Sequence, residues 1–333
     1  MKNLNELKQF LSVPRKILII SHIRPDGDAV GSSLALYHFL TKKGHTASVV
    51  FPSEYPYFYG WFPGVDQTYN FKKKRETINP IIAEAEILFA VDFNQLKRMN
   101  DLGKIVSGLN IPKVLIDHHP DPEPFYDYAF YDMHACSAAE KVYDFIEFID
   151  GRLLKDKDIA TCLYAAIVSD SGSFKFSSVT PETMRIAARL MESGINHNQI
   201  QRQLFDNFTE NRIRMWGYCI YEKLEIIPEH KAGIITLNKD DLKRFCSKLA
   251  DTENLVNFVL NIEDVTVGVL VVELSDMVKL SFRSKGQYPV NLLAAKYFNG
   301  GGHLNAAGGQ TNLSLDETIK LLKEKLGEFD EYL

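Results

Sequence analysis

The stretch SHIRPDGDAVGS, Ser21 to Ser32, follows directly on the apolar run Ile17-Leu18-Ile19-Ile20. It sets His22, Asp26 and Asp28 in a tight loop at the end of a buried strand, where open α/β sheets bind their ligands. Gly27 lets the backbone fold between the two acidic residues, and Gly31 is expected to let the following helix approach the sheet. Alone, Asp-Gly-Asp reads as a polar turn with a helix N-cap. Three further segments speak against so plain a role. Asp92 closes Ile87-Leu88-Phe89-Ala90-Val91, and Asp117-His118-His119 closes Val114-Leu115-Ile116. Asp170 follows Leu163-Tyr164-Ala165-Ala166-Ile167-Val168-Ser169. Each acidic or imidazole group ends an apolar segment, and helical or loop patterns separate the segments. A parallel sheet would bring such ends together at one edge.

Burying that many carboxylates side by side is costly unless cations neutralise them. A divalent metal answers the problem, and a mixed His/Asp donor set favours manganese over calcium. Magnesium prefers more oxygen and water, while zinc is compatible with the donors. The chain has no convincing Ser-His-Asp or Cys-His arrangement.

A chain of 333 residues that is 45% hydrophobic can bury a large core and should split into two domains. Its net charge of −5 gives no broad electrostatic footprint for long nucleic acid, though a local cationic patch suffices for short oligonucleotides. Cys136, Cys162, Cys219 and Cys246 lack any CxxC spacing and read as scattered thiols, so the cytoplasm is the expected compartment. MKNLNELKQFLSVPRK at the N-terminus is amphipathic rather than signal-like, and no apolar run approaches membrane length.

Helix and strand signals alternate to about residue 200, as doubly wound α/β domains require. Ser137-Ala138-Ala139-Glu140 reads as a capping box opening a helix through Phe148. Thr180-Pro181 reads as an N-cap with proline at the first helical position. The expected fold is α/β: an N-terminal, mostly parallel sheet flanked by helices over 1–195, a helical connector over 196–225, and a smaller α+β domain over 226–333. In the last, Val265–Leu274 and Val278–Phe282 read as paired strands, with Arg283 at the end of the second. The run Lys72-Lys73-Lys74-Arg75 reads as a solvated surface loop.

Taken in order, SHIRPDGDAVGS, VDF, IDHH and VSDSGSF resemble the four-motif signature of the DHH phosphoesterase superfamily. GGGHLNAAGG, Gly300 to Gly309, resembles the glycine-rich hallmark of that superfamily's associated C-terminal domain. The pair is similar to the nanoRNase branch, proteins that cleave very short RNA and dephosphorylate 3′-phosphoadenosine 5′-phosphate (pAp). The resemblance implies two divalent ions, most readily Mn2+. His22, Asp26 and Asp92 would hold the first, and Asp28, Asp92, His118 and Asp170 the second, with Asp92 bridging. A hydroxide activated by the two ions would attack phosphorus in line, while His119 faces the scissile phosphate. Arg283, Gly300, Gly301, Gly302, His303 and Asn305 would bind substrate.

The implied partners are short RNA oligonucleotides or pAp, with no long nucleic acid and no membrane, and a homodimer is compatible with the sequence. Two departures touch no implied metal ligand. Ser171 stands where the family more often has threonine, and Asn299 where a further glycine is usual. Two other readings stand beside this one: an exopolyphosphatase-like hydrolase of polyphosphate, and a non-catalytic nucleotide-binding regulator.

Overall fold

The computed structural model describes residues 2–333. The chain divides into two compact units, the first ending at Asn207 and the second running from Phe208 to Leu333. In the first, β1 (Lys16–Ile20), β2 (Thr46–Phe51), β3 (Tyr69–Asn70), β4 (Ile87–Val91), β5 (Lys113–Asp117) and β6 (Tyr128–Tyr131) form one sheet. Its order is β3-β2-β1-β4-β5-β6, and every pairing is parallel. The order reverses between β1 and β4, which creates a crevice beyond the carboxyl ends of these two strands.

The middle of this sheet is buried on both faces, so residues 17–20, 87–91 and 114–116 are apolar without interruption. Ile17, Ile19, Phe89 and Val91 share a core with the helices Gly27–Lys42, Ala138–Asp150 and Lys157–Asp170. Leu18, Ile20, Leu88 and Ala90 pack in a second core with Ile78 and Ile82 of the helix Arg75–Glu84 and with Leu102 and Val106 of the helix Asp101–Ser107.

The apolar run before Asp170 is a helix, Lys157–Asp170, and not a strand. A continuous buried run carries no period that separates the two, and the alanines at 160, 165 and 166 favour the helix. Gly31 likewise does its work against this helix rather than the sheet. A Cβ there would stand 2.6 Å from the Cys162 carbonyl oxygen and 2.8 Å from the Ala166 Cβ. One turn earlier, a Cβ on Gly27 would meet the Ser169 Oγ at 2.2 Å. The two glycines let the helices touch backbone to backbone.

The expected capping box at Ser137 is not formed. Ser137 makes no side-chain cap, and its buried Oγ has no hydrogen-bond partner among the described residues. The N–H groups of Ala138 and Ala139 donate instead to Asp28, at 2.6 and 3.1 Å. The Asp28 carboxyl, reaching across from a neighbouring helix, satisfies the orphan donors in place of the local hydroxyl. Thr180 does cap the helix Pro181–Met191 as expected.

The second unit carries β7 (Leu224–Ile227), β8 (Ala232–Leu237), β9 (Val267–Glu273), β10 (Val278–Ser284), β11 (Gly301–His303) and β12 (Ala306–Thr311) in the order β11-β12-β10-β9-β8-β7. Only β8 and β9 pair in parallel. The helices expected as a connector lie in the two cores: Ile200 and Leu204 of His197–Phe205 in the first unit, Met215 and Trp216 of Glu210–Tyr218 in the second. In the basic run, Lys73 pairs with Glu54 and Arg75 lies over the Phe71 ring. Among the described residues, no helix is long and apolar enough to cross a membrane.

Candidate metal centre

The parallel register places the donors before any side chain is considered. Ile20 lies opposite Ala90, so His22 and Asp92, each two residues further on, leave the sheet at the same level. Val91 lies opposite Ile116, which brings the Asp117-His118-His119 run alongside. The helix Lys157–Asp170, drawn in by Gly27 and Gly31, delivers Asp170 from above the sheet edge.

His22 Nε2 stands 3.3 Å from Asp92 Oδ2 and 4.0 Å from Asp26 Oδ1. His118 Nε2 stands 3.6 Å from Asp92 Oδ1, 3.7 Å from Asp170 Oδ2 and 3.9 Å from Asp28 Oδ2. Asp92 therefore offers one oxygen to each histidine. His22, Asp28, Asp92, His118 and His119 are buried, while Asp26 and Asp170 are more open. Asp92 also has a left-handed backbone, φ 63°, a conformation that aspartate tolerates better than most residues and that is stored preferentially at functional sites.

The histidine tautomers follow from their other nitrogens. A carbonyl only accepts, so His22 Nδ1 donates to the Ile23 carbonyl at 2.9 Å and His118 Nδ1 donates to the Ala135 carbonyl at 3.1 Å. Each Nε2 then turns a lone pair toward carboxylate oxygens. At His22 that nitrogen is buried and makes no hydrogen bond among the described residues. Lone pairs facing oxygens at these distances fit a cation between them, and the donor types suit a transition metal.

Charge within the cluster tells the same story. Burial and the nearby Asp92 and Asp170 push the Asp28 carboxyl well above the usual range. Burial would also raise Asp92, but His118 and His22 at its two oxygens hold it well below that range. Burial depresses His118, and the pull of Asp92 and Asp170 overcomes this and lifts it well above the ordinary imidazole value. Asp28 is fixed by Ser32 Oγ at 2.8 Å as well as by the helix N–H groups.

His119 is set apart from the other two. Its Nδ1 donates to Asp117 Oδ1 at 2.8 Å and lies 3.6 Å from Asp92. Burial is the main reason that its pKa is lowered. Asp117, fully buried, is a residue the sequence reading placed beside the histidines without giving it a role. Its signal was the carboxylate immediately before two imidazoles.

In the second unit, Arg283 lies opposite Ala306 on β12, and His303 on β11 also lies opposite Ala306. Directly opposed residues share a face, so Arg283 and His303 flank a small residue about 10 Å apart, two strand spacings. Arg283 falls inside β10 rather than at its end. Lys279 and Ser281, which the sequence reading passed over, lie on the same face.

The glycine run folds as a hairpin. A Cβ on Gly300 would stand 2.0 Å from the Gly308 oxygen, and Gly302, at φ 147°, would meet the Ala306 oxygen at 2.4 Å. Gly301 pairs with Gly308 across the hairpin. Asn299 takes φ 45°, the left-handed geometry that asparagine tolerates. Asn305 donates its amide to Ser284 Oγ and to the Gly286 carbonyl, at 2.9 and 3.0 Å, which ties down the hairpin turn.

The domain described as "DHH family, N-terminal domain" matches residues 16–167, and the DHHA1 domain matches residues 245–328. An exopolyphosphatase-related protein from Bacteroides fragilis is 33% identical, with a TM-score of 0.92 over 98% of this chain and 96% of that one. The chain belongs to the DHH family. Two further DHH relatives are named bifunctional oligoribonuclease and PAP phosphatase NrnA. The one from Bacillus subtilis is 28% identical over 96% of both chains. The one from Thermus thermophilus is 28% identical over 95% of this chain and 91% of its own.

Proposed function

We propose that this DHH protein is a metal-dependent phosphoesterase that hydrolyses short oligoribonucleotides and the 3′-phosphate of pAp. The observation that carries the reading is the shared Asp92, with one oxygen toward His22 and the other toward His118. His22, Asp26 and Asp92 would hold one divalent ion, and Asp28, Asp92, His118 and Asp170 a second, with manganese suiting the donors best. Two such ions would supply an activated water and Lewis-acid polarisation of the phosphoryl oxygens.

The chain's own residues do the rest. Carbonyls of Ile23 and Ala135 orient the His22 and His118 rings, and Asp117 orients His119 toward the reacting phosphate. With its Nδ1–H held by Asp117, His119 would meet an equatorial oxygen as the imidazolium, its Nε2 carrying the proton it donates as charge grows. We assign this chemistry to residues 1–195 and the grip on the rest of the substrate to 226–333. There Arg283 supplies a planar fork of donors, with His303 and the Gly300–Gly302 backbone beside it and Asn305 holding the hairpin in shape.

The names of the Bacillus subtilis and Thermus thermophilus relatives support these substrates, and that of the Bacteroides fragilis protein keeps polyphosphate as the second reading. A side-by-side hydrolysis assay with Mn2+ separates them, using pAp, an RNA dinucleotide, a long RNA and polyphosphate. Rapid loss of pAp or dinucleotide with long RNA spared is the expected result. Turnover of polyphosphate alone would replace the nucleotide reading with the second one.

A further inference from the structure

Arg98 is a half-buried cation with no ion pair to a carboxylate among the described residues. It belongs to the turn Leu96–Met99, which follows Asp92. Two sides of that turn are fastened. The Arg98 carbonyl accepts from the Ile23 N–H at 2.9 Å, next to His22. On the other side, Asn94 Nδ2 donates to the Pro120 carbonyl at 2.6 Å and the Leu96 N–H donates to Glu123 Oε2 at 2.8 Å, in the segment after His119. Met99 is fully buried and anchors the turn from below.

The turn thus spans the gap between the His22 loop and the His119 loop, with the Arg98 backbone bonded next to His22. A guanidinium needed only to brace the turn would be paired. Backbone groups, Asn94 and Glu123 already do the bracing.

We propose that Arg98 is a phosphate-binding residue, donating to a non-bridging oxygen of the phosphoryl group that enters beside His22 and His119. The proposal deepens the phosphoesterase reading and rests on it for the identity of the substrate. Asp26, Asp28, Asp92 and Asp170 carry four negative charges, which two divalent ions would only balance. An incoming phosphoryl group adds more. A fixed guanidinium meets that charge with donors and never has to lose a proton.

The test uses the full chain with Mn2+ and orthophosphate as the probe, read by titration calorimetry beside the hydrolysis of pAp. The variants are Arg98→Gln, Arg98→Lys and, as an exposed cation on the same turn, Lys97→Gln. Orthophosphate affinity should fall about ten- to hundredfold in Arg98→Gln, as for loss of a charge-assisted hydrogen bond, and by less in Arg98→Lys. It should be unchanged in Lys97→Gln, and Mn2+ affinity should hold in all three.

Wild-type orthophosphate affinity in Arg98→Gln overturns the proposal. So does an equal loss in Lys97→Gln, which would mean a diffuse field. Should Arg98→Gln not fold, Arg98→Lys decides, since it keeps the charge and loses only the fork; wild-type affinity there overturns the proposal. A wild type that binds orthophosphate through Arg98 yet turns over neither pAp nor dinucleotide would sink the phosphoesterase reading and leave Arg98 as an anion site.

Discussion

Asp117 buries a carboxylate completely in order to hold one proton on one nitrogen of His119. An orienting partner of this kind is worth about 10- to 100-fold in activity or metal affinity when removed. Asp117→Asn keeps the volume and loses the acceptor charge. It is expected to lower kcat by about that factor with little change in KM, because the substrate's distant contacts are untouched. Steady-state kinetics on pAp would show it, and a kcat equal to wild type would count against His119 as a group facing the phosphate. Asp92 calls for the same care in choosing a substitution. Its left-handed backbone tolerates asparagine, whereas alanine there would add strain to the lost charge.

The contact between the helices Gly27–Lys42 and Lys157–Asp170 sets the position of Asp170, because Gly27 and Gly31 leave no room for a side chain between them. Gly31→Val would force the helices apart or strain them, at about 1–3 kcal/mol for overpacking. A lower melting temperature is expected, with weaker Mn2+ binding as Asp170 moves away from His118. Gly217→Ala is the control, since a Cβ there has nothing within 4 Å. If both variants melted and bound Mn2+ alike, the helix contact would not be what positions Asp170.

The strand ends at His22, Asp92 and His118 were legible because each apolar run stops abruptly at charged or imidazole residues. Two features were not legible, for the same physical reason. The run 163–168 is buried on all sides, so its pattern is blind to the difference between helix and strand. The cap at Ser137 was overridden by Asp28, which lies 110 residues from Ala138 along the chain and reaches its N–H only after folding. Local chemistry proposes a cap, and tertiary packing chooses among candidates.

Over the whole chain, the two units have separate cores, with Val271, Leu280, Phe282 and Leu322 in one cluster of the second and Trp216, Leu255 and Leu270 in another. A unit with its own core is expected to fold alone. A fragment of residues 208–333 should melt cooperatively by circular dichroism and hydrolyse nothing, because every proposed metal ligand lies before Asn207. An unfolded fragment would mean that its two clusters do not suffice.

The division between 207 and 208 was hidden from the sequence because neither glycine nor proline marks it. The helices on either side are amphipathic and each is absorbed by a different core. Composition did convey the larger fact that 333 residues divide, and the order of the motifs conveyed which part carries the donors.

The most direct measurement is pAp hydrolysis by metal-stripped protein as Mn2+ is returned, for the wild type and for Asp92→Asn. The stripped wild type should be inactive and recover as Mn2+ is added. Asp92→Asn should stay at least about a thousandfold below it at saturating Mn2+, about 4 kcal/mol in the barrier. Hydrolysis by the stripped protein, or full recovery in Asp92→Asn, would contradict a reaction built on metals shared through Asp92.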